Sequence, residues 1–337
     1  MNPNDNHPST TVQQRNRRLL YFVVLPISLL LALAVVLFCI LYPSAAVPAS
    51  TLAGDGEKQS VLSNFSDDLG QETALQFVTV EKTKADLSQG SLVLVNNDTV
   101  WPFPKMDSLV NVYDNAVTAY SLSGTDLLLQ KEVMTPLNDM MTNFRRITGF
   151  SQVMLSEGYR SEATQAAVYQ QAQSLYGDNA DEIAAKPGRS EYHTGYAIGF
   201  SLYTDDGVVM DFSSAEECDW LLRNCDRYGF IQRYPEGKES ITGYAAQPYH
   251  FRYVGKPHAY LMRLKQYCLE EYLEYVSHYP YDGNHIQVTD NENQKYEIYY
   301  VPAGDETTAV PVPEDRPYTI SGDNQGGFIV TVTLEAP

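Results

Sequence analysis

Cysteine is scarce in this sequence, with four in 337 residues. Cys39 lies inside a long apolar run near the N-terminus. Cys218 and Cys225 fall on one face of a predicted helix but about 10 Å apart along its axis, which is too far for a disulfide. Cys268 lies on a later predicted helix and could pair with either. Three such cysteines do not make a disulfide framework, and we expect buried free thiols.

Positive charge is also in short supply. The chain has 23 Lys and Arg against 42 Asp and Glu, for a formal net charge of −19. A nucleic-acid-binding protein needs a basic surface, so the composition argues against that class of partner. No internal repeat recurs at a fixed period, which argues against a solenoid. With 44% hydrophobic and 19% charged residues the chain has the composition of a globular protein.

A long uncharged run near the N-terminus predicts a membrane anchor. Residues 19–42 are apolar and long enough to cross a bilayer as a helix. Arg15, Arg17 and Arg18 precede the run, so the positive-inside rule leaves residues 1–18 in the cytoplasm and places the rest outside the cell. Small residues follow, as in a cleaved signal peptide. The apolar part of such a peptide usually spans about 7–15 residues, so we favour an uncleaved anchor.

By composition and hydrophobic pattern, the rest of the chain divides into three predicted regions. Residues 43–88 are polar and predict a stalk. Residues 89–279 alternate helix-like and strand-like segments and predict the main domain. Helices are predicted at 126–150, 163–177, 214–230 and 256–277, with strands near 153–159, 190–203 and 245–255. Residues 280–337 form two pairs of β-rich runs around turns and predict a small all-β extension.

Four motifs stand in order within the main domain: EGYRSEATQ (157–165), SEYHTGYAIGF (190–200), DRYGFIQRYPEGKESITGY (226–244) and QPYHFRYVGKPHA (247–259). Together they resemble the D-alanyl-D-alanine carboxypeptidases of the vancomycin-resistance type, which share a zinc fold with the hedgehog signalling domain. The resemblance covers roughly residues 88–275. It implies an α+β fold, in which mixed helices pack on a central antiparallel sheet.

The resemblance also implies a zinc site in which some residues bind the metal and another acts as general base. The family pattern S-x-H-x-x-G-x-A-x-D and a later E-P-W-H supply three metal ligands and a general base. Three protein ligands leave a fourth position for water, whose pKa the metal lowers toward about 7. The glutamate then removes a proton from that water.

Set against this pattern, the present sequence has lost most of the catalytic groups. Ser190, Gly195 and Ala197 match the family and fix the register. In that register Tyr192 occupies the first ligand position and Gly199 the second.

The later motif has changed in the same way. Gln247 occupies the position of the general base and Tyr249 that of the tryptophan, so His250 is the one metal ligand retained. Glutamine cannot take a proton, and one imidazole does not make a catalytic zinc site. We therefore expect no zinc cofactor and no catalysis.

His193 is a poor replacement for the missing ligand. The register places it one residue late, and on a strand its side chain would face away from the site. A β-bulge could turn it inward but would not supply the acid missing at Gly199. Asp205 and Asp206 follow in a predicted turn, where solvated side chains are expected.

The substrate-binding part of the motifs is better retained. Arg160 matches the family arginine that contacts the substrate near its C-terminal end, and a guanidinium suits a carboxylate. A buried structural role for Arg160, or a backbone-bonding role for Ser190, stays open. Glu157 departs from the small residue usual in the family, and an acid there could neutralise Arg160. The other candidate contacts are Gln165, Ser190, Tyr244 and Arg252.

Three functions fit these observations. The first is a membrane-anchored, extracellular, catalytically inactive relative of the carboxypeptidases, binding a peptidoglycan stem peptide or an extracellular protein. The second is a divergent metallo-carboxypeptidase that recruits metal through His250, His193 or Tyr192. The third is a scaffold that acts through residues 281–337 or through the membrane segment.

Overall fold

The computed structural model describes residues 76–204 and 207–334. The predicted cytoplasmic tail, the membrane segment at 19–42 and most of the predicted stalk lie outside the described residues. Within those two ranges, no helix is both long and apolar enough to cross a membrane.

A central sheet carries the motifs. Its strands, numbered in chain order, are β3 (Ser121–Leu122), β5 (Val153–Glu157), β6 (Ala197–Tyr203), β7 (Val209–Met210), β8 (Phe230–Tyr234) and β9 (Gln247–Tyr253). The spatial order is β3-β5-β6-β9-β8, with β7 also paired to β6. All pairings are antiparallel except β3 with β5. The predicted mixed fold with a central, mainly antiparallel sheet is therefore observed.

Seven α-helices are found in the described part of the chain. They are α1 (Lys131–Thr148), α2 (Glu162–Tyr176), α3 (Ala180–Ile183), α4 (Asp219–Asn224), α5 (Glu239–Thr242), α6 (Lys256–Lys265) and α7 (Leu269–Ser277). The buried stripe of α1, which includes Leu137 and Phe144, joins Ile198 and Phe200 of β6 in one core. Successive residues of a strand point to opposite faces, so position 199 lies on the face away from this core.

The segment predicted as one strand over 190–203 is two elements. Residues Glu191–Thr194 form a 3-10 helix, and β6 begins only at Ala197. The turn between them depends on Gly195, whose φ of 71° lies in the left-handed region that glycine adopts without strain. The 3-10 turn changes how the side chains of this motif are directed.

Three other predicted boundaries also differ. The first helix begins at Lys131, because Leu128–Gln130 form β4 and pair with β2 (Leu109–Asn111). The helix predicted over 214–230 reduces to α4 flanked by 3-10 turns. The helix predicted over 256–277 is split into α6 and α7, since Gln266 adopts a left-handed φ of 57° that ends α6.

The C-terminal region is β-rich and packs into the main domain. It contains β10 (Ile286–Thr289), β11 (Lys295–Pro302), β12 (Thr307–Pro313), β13 (Tyr318–Gly322) and β14 (Gly327–Thr333). Ile286, Ile298 and Ile329 share one apolar core with residues of α6 and α7. This region therefore packs as an integral part of the fold.

The end of the predicted stalk is folded, which corrects the sequence-based boundary at residue 88. Phe77–Thr83 form β1, which pairs antiparallel with β12, and Lys84–Ser88 form a 3-10 helix. Phe77, Val80 and Leu87 pack against the apolar core of the C-terminal strands. Burial of these side chains holds the segment in place.

The three cysteines among the described residues, Cys218, Cys225 and Cys268, are buried free thiols, as predicted. Burial raises the pKa of each thiol. The thiols are therefore protonated at neutral pH and act as small apolar side chains.

Candidate functional site

A cavity of about 170 Å³ opens at the motif-bearing end of the sheet. It brings together most of the residues singled out from the sequence: Arg160, Gln165, Ser190, Tyr192, Tyr244, Gln247 and His250. Glu157, Tyr234 and Tyr249 also line it. All four motifs thus meet at one site.

The floor of the site is a row of paired positions on three adjacent strands. Glu157 of β5 pairs with Gly199 of β6, and Gly199 pairs with His250 of β9. Directly paired residues on antiparallel strands project to the same face. Position 199 therefore lies between the side chains of Glu157 and His250, and it carries no side chain of its own.

Tyr192 fills the space above this gap. Its ring stacks on the imidazole of His250, with centroids 4.7 Å apart and planes 21° apart. A Cβ added at Gly199 would lie 2.8 Å from the Tyr192 hydroxyl and 2.9 Å from Cβ of Glu157. Tyr192 and Gly199, which align with the family's first two ligand positions, therefore pack closely against each other.

These residues do not fit a catalytic zinc ion. Over 76–204 and 207–334, no three His, Cys, Asp or Glu side chains cluster closely enough to hold a metal. Burial and the nearby Glu157 raise the pKa of the Tyr192 phenol well above its usual value, so this group is neutral at pH 7. The phenol also occupies the space over Gly199 where an acidic ligand would begin.

His250 is buried and neutral. Its side chain is 4% exposed, and burial lowers its pKa to about 3. Its Nδ1 lies 3.2 Å from Oε1 of Gln247. An amide oxygen only accepts hydrogen bonds, so Nδ1 carries the proton and Nε2 is left with a lone pair. In the described part of the chain, this buried Nε2 has no hydrogen-bond partner.

Gln247 thus supports His250. Its carbonyl oxygen accepts the Nδ1 proton and fixes the tautomer of the imidazole. An amide has no basic group with which to activate water. The residue at the general-base position therefore positions the histidine.

Each guanidinium nitrogen of Arg160 makes a bond within the protein. Its Nε and Nη2 lie 3.1 and 2.6 Å from Oε2 of Glu157, and Nη1 donates to Oε1 of Gln165 at 3.1 Å. Its Cζ lies 4.4 Å from the centre of the Tyr192 ring, a cation–π contact. Gln165 in turn donates to the carbonyl of Ala185 at 2.7 Å.

His193 points away from the cavity. Its Nδ1 lies 2.7 Å from the carbonyl oxygen of Arg160, and Nε2 accepts from the backbone N–H of Gly188 at 3.1 Å. Phe103 packs edge-on against the ring. Both nitrogens are therefore used to hold the backbone. Asp205 and Asp206 lie outside the described residues.

Arg252 also differs from the expectation that it contacts substrate. Its side chain is 0% exposed, pairs with Glu191 at 2.9 Å, and donates to the carbonyls of Ser91 and Val93. It does not line the cavity. We therefore assign it a structural role.

Sequence reasoning missed the buried ion cluster around Glu191. Arg233 pairs with Glu191 at 2.9 Å and makes two hydrogen bonds to Glu270. Burial alone would raise the pKa of Glu191, but the charges of Arg233 and Arg252 outweigh it and lower the pKa overall. The sequence does contain a signal for this cluster. IQRY and HFRY each have an arginine at the third position, in strands that are otherwise rich in buried residues.

Aromatic side chains form the remaining wall. Tyr234 packs edge-on against His250 with centroids 4.9 Å apart, and Tyr244 lies 4.9 Å from Tyr234. The Tyr244 hydroxyl donates to Oδ1 of Asn97 at 3.1 Å. Burial raises the pKa of Tyr244 to about 12. Ser190 is buried in the same wall, and Tyr249 is partly exposed at its edge.

Comparison with known proteins identifies the family. Residues 126–256 match the family model described as VanY, D-alanyl-D-alanine carboxypeptidase. A D-alanyl-D-alanine carboxypeptidase of Enterococcus faecium is 34% identical over 259 residues, which cover 75% of this chain and 79% of that protein. The chain therefore belongs to the D-alanyl-D-alanine carboxypeptidase family, as the motifs predicted.

Two further relatives are similar in sequence or in structure. The bifunctional D-Ala-D-Ala dipeptidase and carboxypeptidase VanXYC of Enterococcus gallinarum is 34% identical over 160 residues, covering 46% of this chain and 82% of that protein. The crystal structure of the vancomycin-resistance D,D-dipeptidase VanXYg, bound to a D-Ala-D-Ala phosphinate analogue, superposes with a TM-score of 0.69 at 33% identity. That match covers 77% of this chain and 100% of the other.

Proposed function

We propose that this protein is a non-catalytic member of its family that binds a peptidoglycan stem peptide in the cavity without cleaving it. The observation that carries the proposal is the packing of Tyr192 against His250 and over Gly199. Without three ligands no metal-bound water forms, and Gln247 offers no base. A protein partner outside the cell is the other occupant that we expect for the same surface.

A peptide ligand is supported by the relatives. The VanXYg structure contains a D-Ala-D-Ala phosphinate analogue, and that chain is matched over its whole length. Arg160, Ser190 and the tyrosine wall line the cavity at the positions that the shared motifs provide. Tyrosines suit peptide contacts, because each offers an apolar face and a hydroxyl.

We further propose that the protein is held at the cell membrane with its main domain outside. The support is the apolar run at 19–42 and the arginines that precede it. Peptidoglycan stem peptides are found on that side of the membrane. Reporter fusions after residue 18 and after residue 337 test the orientation, and a cytoplasmic C-terminus would contradict it.

The lack of catalysis is tested on the full chain purified in detergent without chelator. Metal content is measured by mass spectrometry, and D-Ala release is followed from a pentapeptide ending in D-Ala-D-Ala, with zinc added. We expect no retained zinc and no D-Ala above a no-protein blank. One zinc per chain with D-Ala release would overturn the proposal.

The alternative, a divergent metallo-carboxypeptidase, has one observation in its favour. Nε2 of His250 is buried with a free lone pair, which is the atom type that a metal requires. Replacement of His250 by Gln in the same assays separates the two functions. Loss of bound zinc and of D-Ala release in that variant would favour the enzyme.

A further inference from the structure

We propose that Glu157 makes the cavity discriminate against a free C-terminal carboxylate and favour a peptide that ends in a carboxamide. This inference rests on the proposed function, because it names the end group of the ligand that the same cavity binds. It follows from three features: an arginine already paired, a carboxylate at the cavity wall, and an unused acceptor.

The first feature is that every guanidinium nitrogen of Arg160 already makes a bond within the protein. Nε and Nη2 bind the carboxylate of Glu157, and Nη1 binds Gln165. Glu157 therefore holds the place on the guanidinium that the carboxylate of a peptide would take. A peptide acid would have to displace a charge-assisted pair that the protein makes within itself.

The second feature is the charge that Glu157 brings to the cavity. Its side chain is 37% exposed, and it lines the cavity. Both bonds to Arg160 go to Oε2, so Oε1 takes no part in that pairing. A second carboxylate brought beside it would be repelled. The repulsion is stronger than in water, because the buried part of the cavity wall has a low dielectric constant. A neutral carboxamide meets no such repulsion.

The third feature is the unused acceptor on His250. Its Nδ1 proton is donated to Gln247, which leaves the lone pair of Nε2 without a donor among the described residues. A buried acceptor without a partner is costly, so a ligand that supplies an N–H gains from pairing with it. A carboxamide carries two N–H donors and a carboxylate carries none.

The neighbouring groups agree with a neutral, donating ligand. The phenols of Tyr192 and Tyr244 are kept protonated by burial and supply no negative charge. The carboxylate of Glu191 is neutralised by Arg233 and Arg252, each at 2.9 Å. Among these groups, discrimination between a carboxylate and a carboxamide end group therefore depends on Glu157 and its partner Arg160.

Two synthetic pentapeptides test the inference, L-Ala-γ-D-Glu-L-Lys-D-Ala-D-Ala as the acid and as its C-terminal carboxamide. Dissociation constants are measured by calorimetry with the full chain in detergent. We expect the carboxamide to bind at least tenfold more tightly than the acid. In Glu157→Gln and Glu157→Ala, the freed Arg160 should bring the two affinities to within about threefold or reverse their order.

Glu162→Gln is the matched control, because Glu162 is an exposed acid in the first turn of α2 that does not line the cavity. It should keep the wild-type preference. A wild-type protein that favours the acid, or Glu157 variants with an unchanged ratio, would refute the inference while leaving peptide binding intact. Failure of every protein to bind either peptide would refute both this inference and the peptide-binding half of the proposed function. The separate assay of D-Ala release would still decide the lack of catalysis.

Discussion

The hydroxyl of Tyr192 lies 2.8 Å from the point where a side chain on Gly199 would begin. The tyrosine that aligns with the first ligand position therefore leaves no room for a side chain at the second, so the two positions depend on each other. Glu157 belongs to the same group, since its Cβ lies 2.9 Å from that point. The position where the family pattern places a metal is thus packed with side chains that contact one another.

Gly199→Ala tests this packing directly. The backbone at Gly199 is not left-handed, so the added methyl acts through its contacts alone. We expect the free energy of unfolding to fall by about 1–3 kcal/mol, as is usual for overpacking. Tyr192→Phe removes the contacting hydroxyl and should recover part of the loss in the double variant. Urea denaturation of the four proteins measures the coupling.

Gly326→Ala is the control for that series. A Cβ there would come no closer than 3.8 Å to Tyr300, and its φ is not left-handed. Its effect should stay within about 0.5 kcal/mol. If the two alanine variants lose equal stability, or if Tyr192→Phe recovers nothing, the coupling between positions 192 and 199 is refuted.

Restoring a metal site should be most effective with four changes. The triple variant Tyr192→His, Gly199→Asp, Gln247→Glu supplies a base and two ligands, which make three ligands together with His250. Its aspartate still meets Glu157, whose Cβ and Cγ lie 2.9 and 3.0 Å from the new Cβ. Adding Glu157→Ala should therefore raise zinc affinity by at least tenfold over the triple variant, as measured by competition with a chromophoric chelator.

Activity should lag behind metal binding in both variants, because catalysis also needs closely placed supporting groups. D-Ala release from the pentapeptide measures this directly. Equal zinc affinity in the triple and quadruple variants would show that Glu157 does not obstruct the site.

The ion cluster around Glu191 should matter for stability. Glu191→Gln leaves the buried Arg233 and Arg252 without their shared carboxylate. Removing one member of a buried pair costs about 3–5 kcal/mol. Lys105→Gln, which breaks a pair that is exposed on both sides, should change stability by less than about 1 kcal/mol. Chemical denaturation compares them, and a small loss in Glu191→Gln would contradict the structural assignment.

Stability should fall in mild acid because of two buried histidines. Burial lowers the pKa of both His250 and His258 to about 3, from an ordinary value of 6.5. The unfolded chain takes up these protons first, so their contribution is complete above pH 6.5 and is lost as pH falls toward 3. Each histidine contributes a slope of about 1.4 kcal/mol per pH unit within that window.

His250→Gln should remove one of these slopes. Thermal or urea unfolding at several pH values between 4 and 6 measures the difference from wild type. A variant with the wild-type pH dependence would mean that His250 titrates alike in the folded and unfolded chain.

The sequence predicted the family well, because several spaced anchors fix the register. Ser190, Gly195 and Ala197 assign Tyr192 and Gly199 without any structure. The packing between those two residues could not be predicted, since it depends on how a 3-10 helix turns Tyr192 over the sheet. His193 faces away, but the turn and its own hydrogen bonds direct it there.

The roles of charged residues were harder to predict from the sequence. Arg160 and Arg252 are both candidate ligand contacts in the sequence, yet one lines the cavity and the other is buried against Glu191. Pairing of this kind joins distant parts of the chain, which local patterns do not report. The sequence-based stalk wrongly included residues 77–88 for the same reason, because β12, the partner strand of β1, lies more than 200 residues further along.

Anomalous diffraction at the zinc absorption edge tests the central claim most directly. Crystals grown with excess zinc would be compared with crystals grown without it. The account predicts no anomalous peak between Tyr192, Gly199 and His250, with the Tyr192 ring still stacked on the imidazole. A peak bonded to Nε2 of His250, with Tyr192 displaced, would contradict it.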